Sequence, residues 1–473
     1  TIRNNCRFKS GFTANEVRRT FIEYFRDVHN HTFVKSSSVL PENDKSLTLV
    51  NAGMNQFKPI FLGTLNANDP LLKLKRATNT QKCIRLGGKH CDLHNVGINY
   101  RHHTFFEMLG NWSFGDYFKD EAIKMAFYLV RDVYKLDLSR IFVTYFGGCS
   151  EFNLKADHET FEIWKSLGFS ANRIIGLGMK DNFWEMGDVG PCGGCTEIHY
   201  LLNPVPDDAN TETLLNNSIE IWNLVFMQYE KTGKGELKNL PAFHVDTGMG
   251  LERMTSVLQG VNSNYDTDLF TPLFDKIKQV TGAKAYGGSL SDPLDTAYRI
   301  LADHARMFTV AISDGVVCGH IEGGYSLRQV IRRAASTAKK FFGQQNPADL
   351  LTLLTETVAH TLEEPFPEIR ENLYDIKGGV NNEVKKFNKT FKKAAMLFEQ
   401  KLDTKTRFFS GEEALRLHFY HGIDEESLKE LASKFNAEIN WTEFNEFYAV
   451  YEKKKKFSRK MNAENVISEK LKQ

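Results

Sequence analysis

TQKCIRLGGKHCDLHNVGINYRHHTFFEMLGNWSF spans residues 80–114. Its two ends, TQKCIR (80–85) and TFFEMLGNWSF (104–114), read as strands, and the long segment between them reads as a polar, Gly-rich loop. IFVTYFGG (141–148) reads as another strand. SIEIWNLVFMQYE (218–230) fits a buried strand that is apolar on both faces. Strand-like and turn-rich segments dominate from about 33 to 119, and a helix is expected near 121–134. Upstream, Thr13-Ala14-Asn15-Glu16 is a capping box, and Val17, Phe21, Tyr24, Phe25 and Val28 follow it at helical spacing. The regular strand-helix-strand alternation of a parallel fold is missing. The region to about 260 is therefore expected to be α+β, with a largely antiparallel sheet flanked by helices.

The texture changes after about 262. DTAYRILADHARMFTVAISDG (295–315), YSLRQVIRRAASTAKKFF (325–342) and much of 348–400 carry helical periodicity. The remainder reads as helical and lysine-rich, including the run Lys453 to Lys456. No internal repeat is visible. Two domains are expected, 1–260 and a mainly helical 261–473, with a weaker boundary near 370–400.

Hydrophobic residues make up 41% and charged residues 25% of the 473, which excludes wholesale disorder and a collagen-like fibre. Apolar runs fall short of the roughly 20 residues that a membrane span needs. Lys and Arg number 60 against 59 Asp and Glu, a net charge of +1, so any nucleic-acid binding must come from a local patch. Seven cysteines, an odd number and mostly scattered, suggest reduced thiols rather than a disulfide framework. The N-terminal stretch lacks an apolar signal-peptide core.

Four segments stand out chemically: NAGMNQFKPIF (51–61), CIRLGGKHCDLHNVG (83–97), MGDVGPCGGCTEIHY (186–200) and VDTGMGLERM (245–254), the last read as a small-residue turn entering a helix. Small residues let backbone approach a ligand, and arginine offers a planar fork to phosphate. Neither GxxxxGK[ST] nor a strand-GxGxxG-helix unit is present, so a bound nucleotide would sit on an antiparallel scaffold. Zinc competes as a reading: Cys192 and Cys195 form a CxxC, His199 follows, and His90 and His94 lie upstream. The Gly- and Asn-rich 87–97 segment is a poor helix for such a site.

TLVNAGMNQFKPIFLG, NTQKCIRLGGKH, HHTFFEMLGNWSFGDYFK, DNFWEMGDVGPCGGCTEI, EIWNLVFMQY and VDTGMGLERM together resemble the alanyl-tRNA synthetases, a class II aminoacyl-tRNA synthetase family, in that family's order over about 45–255. YRILADHARMFTVAISDG and GGYSLRQVIRRA extend the resemblance into the helical part. The resemblance implies a class II antiparallel sheet flanked by helices, followed by a mainly α-helical tRNA-recognition domain. It implies motif 1 in 33–61, motif 2 in 80–115 and motif 3 in VDTGMGLER, with a GPCGGC loop at 190–195. The implied activity is alanine-tRNA ligation with ATP and Mg²⁺, the metal ligands being unassigned, and with tRNA(Ala) as partner.

On the same resemblance, Arg85 grips the α-phosphate and the alanine carboxylate, His103 sits near the triphosphate, and Arg253 meets the terminal phosphate or adenine. Ile221, Trp222 and Asn223 line the pocket, with Asn223 touching both substrates. Asp246 pairs with the alanine ammonium. Trp184 and Val225 wall the methyl pocket, Gly248 leaves room at its floor, and Gly250 lets backbone approach ATP. Zinc is not expected, because the family's zinc signature belongs to a separate editing domain. No segment after 425 resembles that domain, so a naturally short enzyme or one piece of a longer one is expected, with seryl- and glycyl-tRNA formed and not hydrolysed.

The basic helix 325–342, with Arg328, Arg332, Arg333, Lys339 and Lys340, is expected to meet tRNA phosphates, with Leu327, Val330, Ile331 and Ala334 as its apolar side. At two positions the chain departs from the family: His320 stands for an Asn and Phe419 for an Asp, the pair that reads the third acceptor-stem base pair. That departure suggests a mitochondrial matrix enzyme, with a cytoplasmic one as the alternative. No membrane partner is expected, and a monomer is favoured.

Overall fold

The strand pair expected at 80–114 belongs to a nine-stranded sheet in the computed structural model, which describes residues 11–451 apart from 42, 43, 45, 46, 88, 89, 92, 94, 188, 207, 234 and 424. In chain order the strands are β1 (Thr32–Phe33), β2 (Arg76–Ile84), β3 (Phe105–Phe114), β4 (Ile141–Phe146), β5 (Ile174–Leu177), β6 (Phe183–Glu185), β7 (Gly190–Leu201), β8 (Ser218–Lys231) and β9 (Leu237–Gly250). They pair in the order β1-β2-β3-β9-β8-β7-β4-β5, with β6 on β7. The end pairs β1 with β2 and β4 with β5 are parallel, and the strands between are antiparallel. The lysine run 453–456 and Lys89 lie outside the described residues.

Two expected loops are strands instead. VDTGMG forms the end of β9, and GPCGGC opens β7. Glycine-rich sequence reads as a turn, but here glycine serves close strand approach. A Cβ on Gly193 would lie 2.0 Å from the Phe226 carbonyl oxygen, where the β7–β8 register shifts between Val225 and Tyr229. A side chain cannot be accommodated at such a bulge.

The chain packs as two compact units, residues up to 317 with 353–376, and 318–352 with residues from 377 onward. In the first, helix α1 (Ala14–Glu23) starts at the expected capping box: the Thr13 amide donates to Glu16 Oε2 at 2.7 Å and the Glu16 amide to Thr13 Oγ1 at 3.2 Å. Phe21 and Phe25 then pack on Trp222 of β8, with ring centroids 5.6 and 6.1 Å away. Helix α2 (Lys119–Tyr128) covers part of the expected 121–134 helix, which continues as a π-helical turn to Val133. Helix α3 (Leu251–Leu258) leaves β9 directly, and helix α4 (Pro293–Ser313) is buried along most of its length.

Several buried charges in this unit are paired. Arg18 forks onto Glu107 at 2.7 and 2.6 Å, and Arg306 donates to Glu252 at 2.6 Å. Lys82 of β2 donates to Asp314 at 2.6 Å and to Glu368 at 2.8 Å, with only 3% of its side chain exposed. Charges this deep persist only when paired.

In the second unit, helix α5 (Glu322–Phe342) buries Leu327, Val330, Ile331 and Ala334, as the periodicity predicts. Helices α6 (Leu373–Lys401), most of whose length belongs to this unit, and α7 (Gly411–His421) pack with it. Arg332 departs from expectation: it is buried, donates to Glu383 of α6 at 2.7 Å, and reaches the carbonyls of His421 and Gly422 at 3.0 Å each. Its guanidinium closes the C-terminal end of α7, where unpaired carbonyls favour a cation. It therefore has no fork left for a phosphate.

Candidate active site

Alternate residues of a strand share a face, so Asp246, Gly248 and Gly250 of β9 line up on one side of the sheet. Opposite them on β8 stand Val225, across from Asp246, and Asn223, across from Gly248. On β3, Trp112 faces Asp246 and Met108 faces Gly250. One strand further, Glu197 of β7 stands opposite Asn223. Val225, Trp112, Cys195 and Phe57 share one buried cluster, against which half-buried Trp184 and Met108 pack.

Within this patch Asp246 is buried and receives the Trp112 Nε1–H at 2.6 Å. Among the described residues it has no cationic partner. Burial pushes its carboxyl up to about 7, and the Trp112 hydrogen bond only partly opposes this. Asn223 reaches Glu197 with its amide nitrogen at 3.4 Å, while its buried Oδ1 has no partner. Buried carboxylates and amide oxygens left in this state are rare away from ligand sites. Gly248 is where backbone and Met108 meet: an added Cβ would lie 2.9 Å from the Met108 sulfur.

A charged cluster adjoins them. Arg85, just beyond β2, donates to the Asn51 carbonyl at 3.3 Å and lies over the Phe106 ring at 4.9 Å. Asn51 is fixed by the 3₁₀ turn Gly53–Phe57, whose Asn55 side chain accepts from the Asn51 and Ala52 amides. Arg253, on the first turn of α3, donates to the Glu220 carboxylate at 2.9 Å. His199 Nε2 stands 3.0 Å from Glu197. Burial and the neighbouring Glu220 charge push the Glu197 carboxyl up, against the His199 hydrogen bond. Burial also opposes ionisation of Glu220, but Arg253 and His199 outweigh it and hold that carboxyl below its ordinary range.

Two neighbouring carboxylates are a donor set for a hard divalent cation. Among the described residues no cage of three or more His, Cys, Asp or Glu side chains forms, but magnesium commonly takes one or two carboxylates together with substrate phosphates. Glu197 and Glu220 fit that pattern. The CxxC does not converge: Cys195 joins the Val225 cluster and Cys192 a separate one with Phe146 and Phe183. Burial pushes the Cys192 thiol up to about 12 and that of Cys195 well above its ordinary value. His94 lies outside the described residues, as does the side chain of His90.

The other expected residues are placed as follows. Trp222 points to the opposite side of β8 from Val225, into the α1 packing, so its ring is not at this patch; Ile221 is buried. The ring of His103 is also interior. Its Nδ1 lies 3.3 Å from Asp303 and its Nε2 accepts from the Asn264 amide at 3.0 Å. Burial pushes the Asp303 carboxyl up, yet hydrogen bonds from His103 and His304 outweigh it and hold the carboxyl well below its ordinary range. In the second unit, exposed His320 lies 2.8 Å from Arg328 Nη1, and Arg328 also donates to the Gly319 carbonyl at 2.9 Å. Arg333 is half-buried. Phe419 stacks on Tyr448 and Tyr451 at 5.8 and 4.0 Å.

Sequence reasoning missed Glu197, Glu220 and Met108 at this patch. The readable signal was a carboxylate inside each of two otherwise apolar strands, TEIHY and SIEIW.

The sequence profile described as tRNA synthetases class II (A) matches residues 16–473. The alanine-tRNA ligase of Schizosaccharomyces pombe is 47% identical over 421 residues, covering 87% of this chain and 44% of its own. The cytoplasmic enzyme of that name from Caenorhabditis elegans is 45% identical over 445 residues, covering 92% and 46%. The mitochondrial one from Saccharomyces cerevisiae is 45% identical over 430 residues, covering 88% and 43%. The chain spans about half the length of the curated relatives it matches.

Proposed function

Since the chain belongs to the class II (A) family of tRNA synthetases, we propose that it carries the amino-acid-activating and tRNA-charging part of an alanine-tRNA ligase. Alanine and ATP form alanyl-adenylate and pyrophosphate, and the alanyl group passes to the 3′ end of tRNA(Ala). The observation that carries this reading is the buried Asp246 carboxylate, which has no cationic partner among the described residues, on the same sheet as the Glu197–Glu220 cluster that holds Arg253 and Arg85. One centre suits an ammonium and the other a phosphate, at the two ends of an amino acid about to be joined to ATP.

The reaction needs no protein nucleophile. The alanine carboxylate attacks the α-phosphorus, and holding the two reactants in line supplies much of the rate. Asp246 takes the ammonium and so fixes the direction of the carboxylate. Asn223 Oδ1 accepts a second ammonium proton. Trp184 and Val225 wall the methyl group, and Met108 over Gly248 closes the floor. Arg85 bridges the carboxylate and the α-phosphate as charge builds there. Glu197 and Glu220 would hold Mg²⁺, which when bound would supply neutralisation of the triphosphate charge. His103 acts through position, fixing the loop that carries it. In the second unit, the basic face of α5, with Arg328, Arg333 and exposed Lys340, meets tRNA phosphates, and Phe419 offers a ring rather than a hydrogen bond to the acceptor stem.

The test is alanine-dependent exchange of pyrophosphate into ATP without tRNA. Arg85→Ala is expected to lower the exchange rate at least 100-fold, about 2.7 kcal/mol of transition-state stabilisation. Exchange that responds equally to every amino acid would sink the reading. Gly248→Ala should raise KM for alanine about tenfold with little change in Tm, because the far end of Met108 can move aside into the methyl pocket. An unchanged KM would show that Gly248 does not bound that pocket.

A further inference from the structure

Helix α4 grips the connection between β2 and β3 at two points on one face. Arg299 and Asp303 are four residues apart on the helix and fully buried, and residues at that spacing lie one above the other. Arg299 Nε donates to the Gly97 carbonyl at 2.8 Å. Gly97 stands at φ +87°, and a Cβ there would lie 2.7 Å from Ile300 Cγ1, so the backbone runs directly on the helix. One turn further, Asp303 takes the far end of the connection. Its Oδ1 accepts from the Thr104 amide at 3.0 Å and its Oδ2 from the Thr104 hydroxyl at 2.5 Å.

Thr104 is the last residue before β3, and its carbonyl accepts from the Arg85 amide at 2.9 Å. That bond lies one step beyond the last ladder pair, Ile84 with Phe105, where the two strands part. Backbone at the end of a ladder opens easily unless something outside the ladder fixes it. Here Asp303 does so from the helix. The Arg85 guanidinium itself reaches the Asn51 carbonyl at 3.3 Å, a long hydrogen bond, so much of its placement comes from where its backbone is held.

A buried carboxylate is a costly tether for one threonine. Among the described residues no Lys or Arg pairs with Asp303; its other neighbours are His103 Nδ1 at 3.3 Å and His304 Nδ1 at 3.0 Å. An apolar residue would avoid the desolvation of that charge. What the carboxylate brings is two acceptor oxygens, one for each Thr104 donor, in charge-assisted bonds that set direction as well as distance. An asparagine has one acceptor oxygen and would turn its amino group toward a donor.

We propose that Asp303 positions Arg85 for the activation step: acting through both donors of Thr104, it holds the Arg85 backbone and so sets the guanidinium where the alanine carboxylate meets the α-phosphorus. This rests on the amino-acid activation reading above. Asp303 is a positioning residue and touches neither substrate. An arginine that bridges two reacting groups contributes most as charge builds on them, and a misplacement of about 1 Å can cost roughly 100-fold in rate. Loosening the tether therefore lowers kcat and leaves KM for alanine and ATP nearly unchanged.

The experiment compares Asp303→Asn, Thr104→Val and Thr104→Ser by alanine-dependent pyrophosphate exchange and by deuterium uptake at the Arg85 amide. Asp303→Asn and Thr104→Val are expected to lower kcat about tenfold with both KM values within twofold. Uptake at the Arg85 amide should quicken about tenfold, while residues 108–112 of β3 exchange as in the wild type. Thr104→Ser keeps the hydroxyl and should restore the wild-type kcat within twofold. The deciding comparison is made on Arg85→Ala: with the guanidinium gone, Thr104→Val should lower the residual rate less than twofold further. An equal loss in both backgrounds would reveal a merely structural role and overturn the proposal, as would an unchanged kcat or unchanged uptake at Arg85. Thr104→Val is close to isosteric and keeps the amide bond to Asp303, so it decides the case even where Asp303→Asn fails to fold. A wild-type chain without alanine-dependent exchange counts instead against the activation reading, and deuterium uptake then decides whether Asp303 holds Arg85.

Discussion

Replacing Asp246 with Asn is expected to lower kcat/KM for alanine by two to three orders of magnitude while making the ligand-free chain harder to unfold above pH 7. Both effects come from one buried carboxylate. Removing one partner of a buried ion pair costs about 3–5 kcal/mol, here in the complex with the alanine ammonium. In the empty protein the same carboxylate lacks that partner, and burial raises its pKa from 3.8 to about 7. An Asp whose folded pKa lies above its unfolded value stabilises the fold while protonated. That contribution is complete below about pH 4 and fades as pH rises through the folded value near 7. The shift corresponds to about 4 kcal/mol at most. Asn keeps an oxygen for Trp112 and removes the charge, so Tm should exceed wild type at pH 8 and match it at pH 4. Alanine binding to the wild type should weaken about tenfold per unit below pH 7, since the ammonium requires the ionised carboxylate. A pH-independent KM for alanine between pH 5.5 and 8 would remove Asp246 from the ammonium site.

Arg332→Ala should destabilise the second unit by up to about 3–5 kcal/mol, because buried Glu383 would keep only its longer contact to Arg328 at 3.4 Å. The two side chains are 4% and 2% exposed, so water cannot replace the lost partner. The His421 and Gly422 carbonyls at the end of α7 lose their donor as well. Urea unfolding followed by protection of 377–451 from proteolysis would measure the loss. Arg332→Met with Glu383→Leu should recover part of it, since an apolar pair of similar volume often matches a buried ion pair. If Arg332→Ala kept wild-type stability and lost only aminoacylation, the phosphate contact expected from the sequence would be reinstated.

The contrast between Arg332 and Leu327 shows what periodicity carries. Spacing identifies which side of α5 is buried, and Leu327, Val330 and Ile331 follow it. It cannot say that a guanidinium on the margin of that side has a carboxylate waiting on another helix 51 residues away. The capping box at Thr13 and the strands at 80–84 and 105–114 were legible because their signals are local. VDTGMG and GPCGGC were not, because glycine marks both a turn and a close approach between strands, and only the neighbouring strand decides which. Within the site, the alternation of Asp246 and Gly248 along β9 was hidden by the same misreading. Trp222 and Asn223 are adjacent in sequence and lie on opposite sides of β8, which no composition argument separates.

Lys82 has a consequence for how this chain is made. One of its two carboxylate partners, Glu368, lies 286 residues downstream. A ribosome adding about 5–20 residues per second needs roughly 15–60 s to travel that distance. The whole of 318–352, which packs with the other unit, is translated inside that interval. A released chain ending at 317 would hold Lys82 against Asp314 alone. The first unit is thus finished only after part of the second has left the exit tunnel, and its assembly is a late, post-emergence event.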